Sequence, residues 1–384
     1  MNNEWYDDEI SLNEEYSIKE YDITASPNDF NLKTLFDFIE SGALVIPGFQ
    51  RNYVWDIARA SKLIESILLG LPIPQIFLYE ETRNRFLVID GQQRLMSIFY
   101  FIKQRFPRKE KRVELRKIFG EHGRIPEEVL GDDDYFRKFN LMLSDPMPGQ
   151  KNRFHGINYS TLGDMKLSFD MRTVRNVIVK QNLPEEDNSA VFEIFNRLNS
   201  GGINLTPQEI RASLYHSDFY DMLLKANNDP RWRKLLDASE ADLHMRDVEI
   251  LLRSFAMLIE GDSYKPSMVK FLNKFSNNCK SIDRDRINYL EQLFESFLHA
   301  ADNLPERVFY GVRGRFATLF FEAVFAAVCK NAFEKRGFVI NKLNPELIRE
   351  IFEDKKFIDA SQTDTASAVN VKERLTRARA IMGV

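Results

Sequence analysis

The sequence predicts an α+β chain, with a mixed α/β segment over residues 31–216 followed by an all-helical segment over 217–384. Three observations predict it. Residues 75–80, 85–89 and 173–180 are short runs rich in β-branched and aromatic side chains, the composition of strands. Apolar residues between these runs recur at three- and four-residue spacing, the period of amphipathic helices. Beyond residue 206 only the helical period remains, over 245–259, 266–277, 284–301, 314–330, 345–352 and 366–381, with no internal repeat of fixed length.

Residues 1–30 are acidic and weakly periodic, and they predict a mobile arm. A short helix over 32–41 follows from Leu32, Leu35, Phe36 and Ile39 on one face. Leu44-Val45-Ile46 then reads as a strand running into the Pro47-Gly48 bend. Asp56 is placed to cap a helix with the apolar stripe Ile57, Ala60, Ile64, Ile67 and Leu68, which Gly70 ends. The strands 75–80 and 85–89 are joined by the turn Thr82-Arg83-Asn84. Asp90-Gly91 leads directly into a helix over 92–105. Residues 107–170, charged and rich in Gly, Pro and Asp, read as an insertion with strands of its own. A helix over 188–198 and a loop over 199–205 precede Thr206-Pro207-Gln208-Glu209, a capping box with proline at the first helical position.

Composition narrows the function. With 384 residues and 44% hydrophobic content, the chain buries a real core and is expected to form two domains. A formal net charge of −4 excludes a globally basic nucleic-acid coat but leaves room for a local patch. Such a patch is conceivable at Lys103, Arg105, Arg108, Lys109, Lys111, Arg112, Arg116 and Lys117, although Glu110 and Glu114 interrupt it and a solvated helix face is the favoured reading. Only Cys279 and Cys329 are present, both in apolar helical contexts, so buried reduced thiols are expected. The five histidines are scattered and no Cys-x-x-Cys occurs, so no zinc site is expected. The acidic N-terminus lacks a signal-peptide run, and the apolar stretch 316–329 is too short to span a bilayer and carries Glu322. A cytoplasmic protein without membrane contact is expected.

The strand–Asp90-Gly91–helix junction is the first candidate site. A helix N-terminus presents unpaired backbone N–H groups and the positive end of the dipole, glycine permits close approach, and Arg94 adds a fork of donors. A second candidate is the helix carrying Glu193, Asn196 and Arg197, whose spacings of three and four put all three on one face. A polar surface face ended by glycine accounts for the same pattern. A third is Gln50-Arg51, which the Pro-Gly bend could bring to the same pocket as a second cationic clamp.

Four ordered blocks resemble a known family: 46–55 (IPGFQRNYVW), 63–70 (LIESILLG), 72–74 (PIP) and 88–95 (VIDGQQRL). They resemble the N-terminal domain of the GmrSD-type, modification-dependent type IV restriction proteins and the related phosphorothioate-sensing defence proteins. That family is similar in fold to the ParB/sulfiredoxin superfamily. The resemblance covers about residues 32–216 and includes the second block 192–202 with 205–209. It implies nucleoside triphosphate binding at Gln50, Arg51, Gly91, Gln92, Gln93, Arg94, Asn196, Arg197, Ser200, Gly201 and Gly202. It implies hydrolysis involving Asp90, Arg94 and Glu193, with Mg²⁺ held by Glu193 and Asn196.

The expected function is therefore a nucleotide-hydrolysing component of a bacterial, antiviral DNA-modification-sensing system. No H-N-H nuclease segment is recognisable after Glu209, so a separate nuclease subunit or a homodimer partner is implied, with DNA as a further partner. Two alternatives stay open: a non-hydrolysing nucleotide-gated module, and a nicking DNase of the ParB-like kind.

Overall fold

The computed structural model describes residues 22–46, 53–112, 114, 115, 118, 125–145, 150–183, 189–198, 206–242, 244–311 and 314–383. They fall into two units, one spanning Glu20–Leu205 and the other beginning at Thr206.

The first unit is built on a five-stranded sheet, with order β1 (Asp22–Asn31), β7 (Thr173–Leu183), β3 (Ile76–Thr82), β4 (Arg85–Asp90) and β2 (Leu44–Val45). The pairs β1/β7 and β3/β4 are antiparallel, whereas β7/β3 and β4/β2 are parallel. Strand β1 corrects the expectation of a mobile arm through residue 30. It pairs with β7 from Asp22↔Leu183 to Asn31↔Thr173, so its backbone is satisfied by a strand some 150 residues away. Its side chains are mostly exposed and it contains Pro27, which only an edge strand tolerates.

Local caps set the helix starts. Asn31 accepts from the Thr34 N–H to open α1 (Leu32–Glu40), and Asp56 does the same from Arg59 for α2 (Ile57–Leu68). Helix α3 (Gln92–Ile102) follows β4 directly and is buried from Leu95 to Ile102. Its residues share one core with α1, α2, Ile76, Leu78, Val88 and Val174. Leu87 and Ile89, alternating with Val88, are buried on the opposite side of β4. Helix α4 (Ser189–Leu198) packs against that strand.

Among its described residues, the segment expected as an insertion holds one strand, β6 (Phe136–Lys138), which pairs with β5 (Arg105–Pro107), a strand that begins ahead of that segment. It is not an appendage, because Phe136, Phe139, Phe154, Tyr159 and Phe169 enter the same core as Phe101. Edge-to-face contacts of Phe101 with Phe139, Tyr159 and Phe169 join the two regions.

The second unit is helical among its described residues: α5 (Pro207–Leu214), α6 (Asp218–Asn227), α7 (Pro230–Leu235), α8 (Arg246–Glu260), α9 (Met268–Cys279), α10 (Arg284–Ala300), α11 (Thr318–Glu334), α12 (Pro345–Glu353), α13 (Lys355–Asp359) and α14 (Ala368–Met382). Helix α11 is buried over most of its circumference and packs on α8 and α14, as an all-round apolar helix must. The Glu322 carboxylate inside it accepts from Arg253 Nε at 2.8 Å and lies 3.8 Å from Arg374 Nη2, all three side chains being buried. Cys279 and Cys329 are buried free thiols, and burial raises both pKa values. Among the described residues no helix is long and apolar enough to cross a membrane.

Candidate functional site

Gly91 is the N-cap of α3, with φ 101° and ψ 7°, and no side chain caps the helix. A Cβ built at this position falls 2.3 Å from Ile76 Cγ2, so both the backbone conformation and the close approach to β3 require glycine. The first intrahelical bond runs from the Leu95 N–H to the Gly91 carbonyl at 2.9 Å. The first turn of α3 lies at the positive end of the helix dipole. That geometry accepts an anion.

Arg94 is placed differently from the open fork expected from sequence. Its Nη2 donates to Asp90 Oδ2 at 2.8 Å and to the Gln75 carbonyl at 3.0 Å. The cause is local: Asp90 and Arg94 are four residues apart across the β4–α3 junction, and β3 enters beside them. Arg94 is only 17% exposed, and its Nε is buried without a hydrogen-bond partner among the described residues. A buried guanidinium N–H of this kind is costly unless something accepts from it.

Gln93 also differs. Its Oε1 accepts from the Val54 N–H at 3.0 Å and the Trp55 N–H at 3.4 Å. Its own carbonyl accepts from Ser97 Oγ at 2.7 Å, and Ser97 Oγ lies 2.8 Å from the Tyr53 hydroxyl. Arg112 Nη2 donates to the Trp55 carbonyl at 2.6 Å, with its guanidinium 5.5 Å from the Tyr53 ring centre. Burial pushes the Tyr53 hydroxyl pKa up and the Arg112 pKa down. The sequence does not single out Ser97, and it presents Tyr53 and Arg112 only as part of the 46–55 block and of the basic run. Each contributes through a partner distant in the chain, and no spacing rule signals that.

Glu193 lies on α4 and accepts from Arg197 Nε at 2.5 Å through Oε1. Its Oε2 is buried without a hydrogen-bond partner among the described residues. A single carboxylate oxygen fits a hard cation held chiefly by phosphates and water, as Mg²⁺ commonly is. It does not fit a protein cage, and no group of three His, Cys, Asp or Glu suited to a metal occurs among the described residues. Asn196 belongs to α4, but its side chain lies outside the described residues. Gln50, Arg51, Ser200, Gly201 and Gly202 lie outside them as well. Because α4 packs on β4, whose last residue is Asp90, the two motif-bearing elements are neighbours.

Two other sequence features are structural. Most described cations of the basic run are occupied internally: Lys103 by Glu40 and Glu127, Arg105 by Asp133 and two carbonyls, Arg108 by the Asp133 carbonyl, and Lys111 by Glu114. The Thr206–Glu209 capping box forms as expected. One turn on, Arg211 is buried and donates to Asn273 and Gln208.

Comparison with known proteins matches a segment that covers most of the first unit and the first residues of the second. Residues 32–216 match the GmrSD restriction endonuclease N-terminal domain, and this segment belongs to that family. The chain is also similar to an uncharacterized protein of Methanocaldococcus jannaschii, with 24% identity over 244 aligned positions that cover 48% of this chain. The match covers 41% of that relative, less than half its length.

Proposed function

We propose that residues 32–216 bind a nucleoside triphosphate with its phosphates at the N-terminus of α3, in a restriction-type DNA-defence protein. The observation that carries this reading is the Gly91 N-cap, left-handed and without a side-chain cap, in a domain of the GmrSD N-terminal family. The layered sheet and helices are read as ParB/sulfiredoxin-like. In this reading the first-turn N–H groups cradle phosphate oxygens, and Arg94, steered by Asp90, turns its remaining donors toward developing negative charge. Glu193 Oε2 would hold Mg²⁺, which neutralises phosphate charge when bound. Water attacks the terminal phosphorus, and the nucleoside diphosphate leaves with inorganic phosphate as second product. Hydrolysis would reset a DNA-sensing state, with cleavage assigned to a separate nuclease or a partner copy.

A second reading has its own support. Both hydrogen bonds of Arg94 Nη2 already go to protein groups, which suits a site that binds nucleotide without turning it over. Release of radiolabelled phosphate from each of the four nucleoside triphosphates, with Mg²⁺ and with excess chelator, separates the two. Metal-dependent release supports hydrolysis. Saturable binding without release supports the gated module, and absence of saturable binding removes the nucleotide reading.

A further inference from the structure

We propose that Gln93 is a positioning residue, which couples occupancy of the α3 N-terminus to the segment Tyr53–Trp55 and through it to the region around Arg112. The inference rests on the nucleotide reading above and changes the role of Gln93 within it from phosphate ligand to latch.

Gln93 is the second residue of α3, in the turn that the nucleotide reading places against the phosphates, and its side chain is bonded to the segment Val54–Trp55. The side-chain carbonyl accepts from two successive backbone N–H groups, Val54 at 3.0 Å and Trp55 at 3.4 Å. Tyr53–Trp55 belongs to no helix or strand, so these two N–H groups depend on a side chain for their partner. One turn on, Ser97 ties the Gln93 carbonyl to the Tyr53 hydroxyl. Tyr53 is itself wedged edge-on between Tyr100 at 5.1 Å and Phe106 at 5.6 Å. At the far end Arg112 donates to the Trp55 carbonyl, so the segment is held by α3 from one side and by Arg112 from the other. A shift of the first turn of α3 toward a bound phosphate therefore pulls on Val54 and Trp55 directly.

The test uses the full chain, with ATP and GTP plus Mg²⁺ as probes. Amide hydrogen exchange at Val54 and Trp55, resolved by peptide mapping, is compared with and without nucleotide in wild type, Gln93→Leu and Tyr53→Phe. Nucleotide dissociation constants are measured on the same samples. Tyr53→Phe removes only the hydroxyl held by Ser97 and leaves the α3 terminus untouched. The expected result is nucleotide-dependent protection of 54–55 in wild type. In Gln93→Leu that protection is lost and affinity weakens about tenfold, while Tyr53→Phe weakens affinity about threefold. If nucleotide binds wild type but exchange at 54–55 does not change, Gln93 is only a structural tie and the proposal fails. It fails equally if both variants melt lower yet bind with wild-type affinity. If wild type binds neither nucleotide, the underlying reading falls first and the latch with it. If Gln93→Leu is unfolded, Tyr53→Phe alone decides, by whether it shifts affinity.

Discussion

Arg94 Nη2 donates to Asp90 Oδ2 at 2.8 Å across the β4–α3 junction, with left-handed Gly91 between them. The pair fixes the direction of the guanidinium, so Arg94 is pre-oriented rather than a free cation. Arg94→Ala is expected to weaken nucleotide binding by about 1.5–3 kcal/mol, the worth of hydrogen bonds to a charged group. Calorimetry on a folded variant with unchanged affinity would take Arg94 out of the site.

Gly91→Ala tests the junction itself. The substitution forces a Cβ into the left-handed region and against Ile76 Cγ2, so a loss of roughly 2 kcal/mol or more is expected. A urea midpoint equal to wild type would show that the β4–α3 turn relaxes freely, contrary to the packing described here.

The sequence made this junction legible because its causes are local. A strand run, Asp-Gly and a helical period suffice to locate Gly91, and Asp56 and Thr206 announce their helices in the same way. What it could not reveal is set by pairings between distant residues. Strand β1 is polar and contains Pro27, so nothing but its register with β7 makes it a strand. The basic run reads as a solvated helix face before a nucleic-acid one, yet Lys103 and Arg105 find partners distant in the chain at Glu40, Glu127 and Asp133. The bonds from Val54 and Trp55 to the Gln93 side chain span some forty residues, which no spacing in the sequence signals.

Glu193 separates a metal ligand from an ordinary ion pair. Its partner Arg197 is 75% exposed, and such an i, i+4 pair is worth only about 0.3–0.5 kcal/mol. Glu193→Gln should thus leave the melting temperature nearly unchanged. Mg²⁺-dependent turnover should fall at least about a hundredfold, with metal-free nucleotide binding retained. Wild-type turnover would leave Glu193 with only its ion pair to Arg197 and move any metal elsewhere.

In the helical unit, Glu322 offsets the buried guanidinium groups of Arg253 and Arg374. Glu322→Ala leaves those charges buried without it, and a loss of about 3–5 kcal/mol is expected. Denaturant unfolding resolves a change of that size, and a loss below about 1 kcal/mol would mean that other groups satisfy the two arginines.

Acid should act on the same unit through Asp354, whose carboxyl is held below its ordinary range by hydrogen bonds from Arg377. Because the folded pKa is depressed, this contribution is present above the unfolded value of about 3.9 and is lost as pH falls through the folded one. Asp354→Asn should therefore flatten the decline in melting temperature below about pH 4. An unchanged decline would assign the acid sensitivity to other carboxylates.

The placement of phosphates at the α3 N-terminus is tested most directly by nuclear magnetic resonance of the backbone amides of Gly91–Arg94 during nucleotide titration. Large, saturable shifts are predicted at Gln92, Gln93 and Arg94, reproduced by inorganic triphosphate and reduced in Arg94→Ala at nucleotide concentrations that saturate wild type. Saturable nucleotide binding with these amides unmoved, and the largest shifts elsewhere in the chain, would contradict the account.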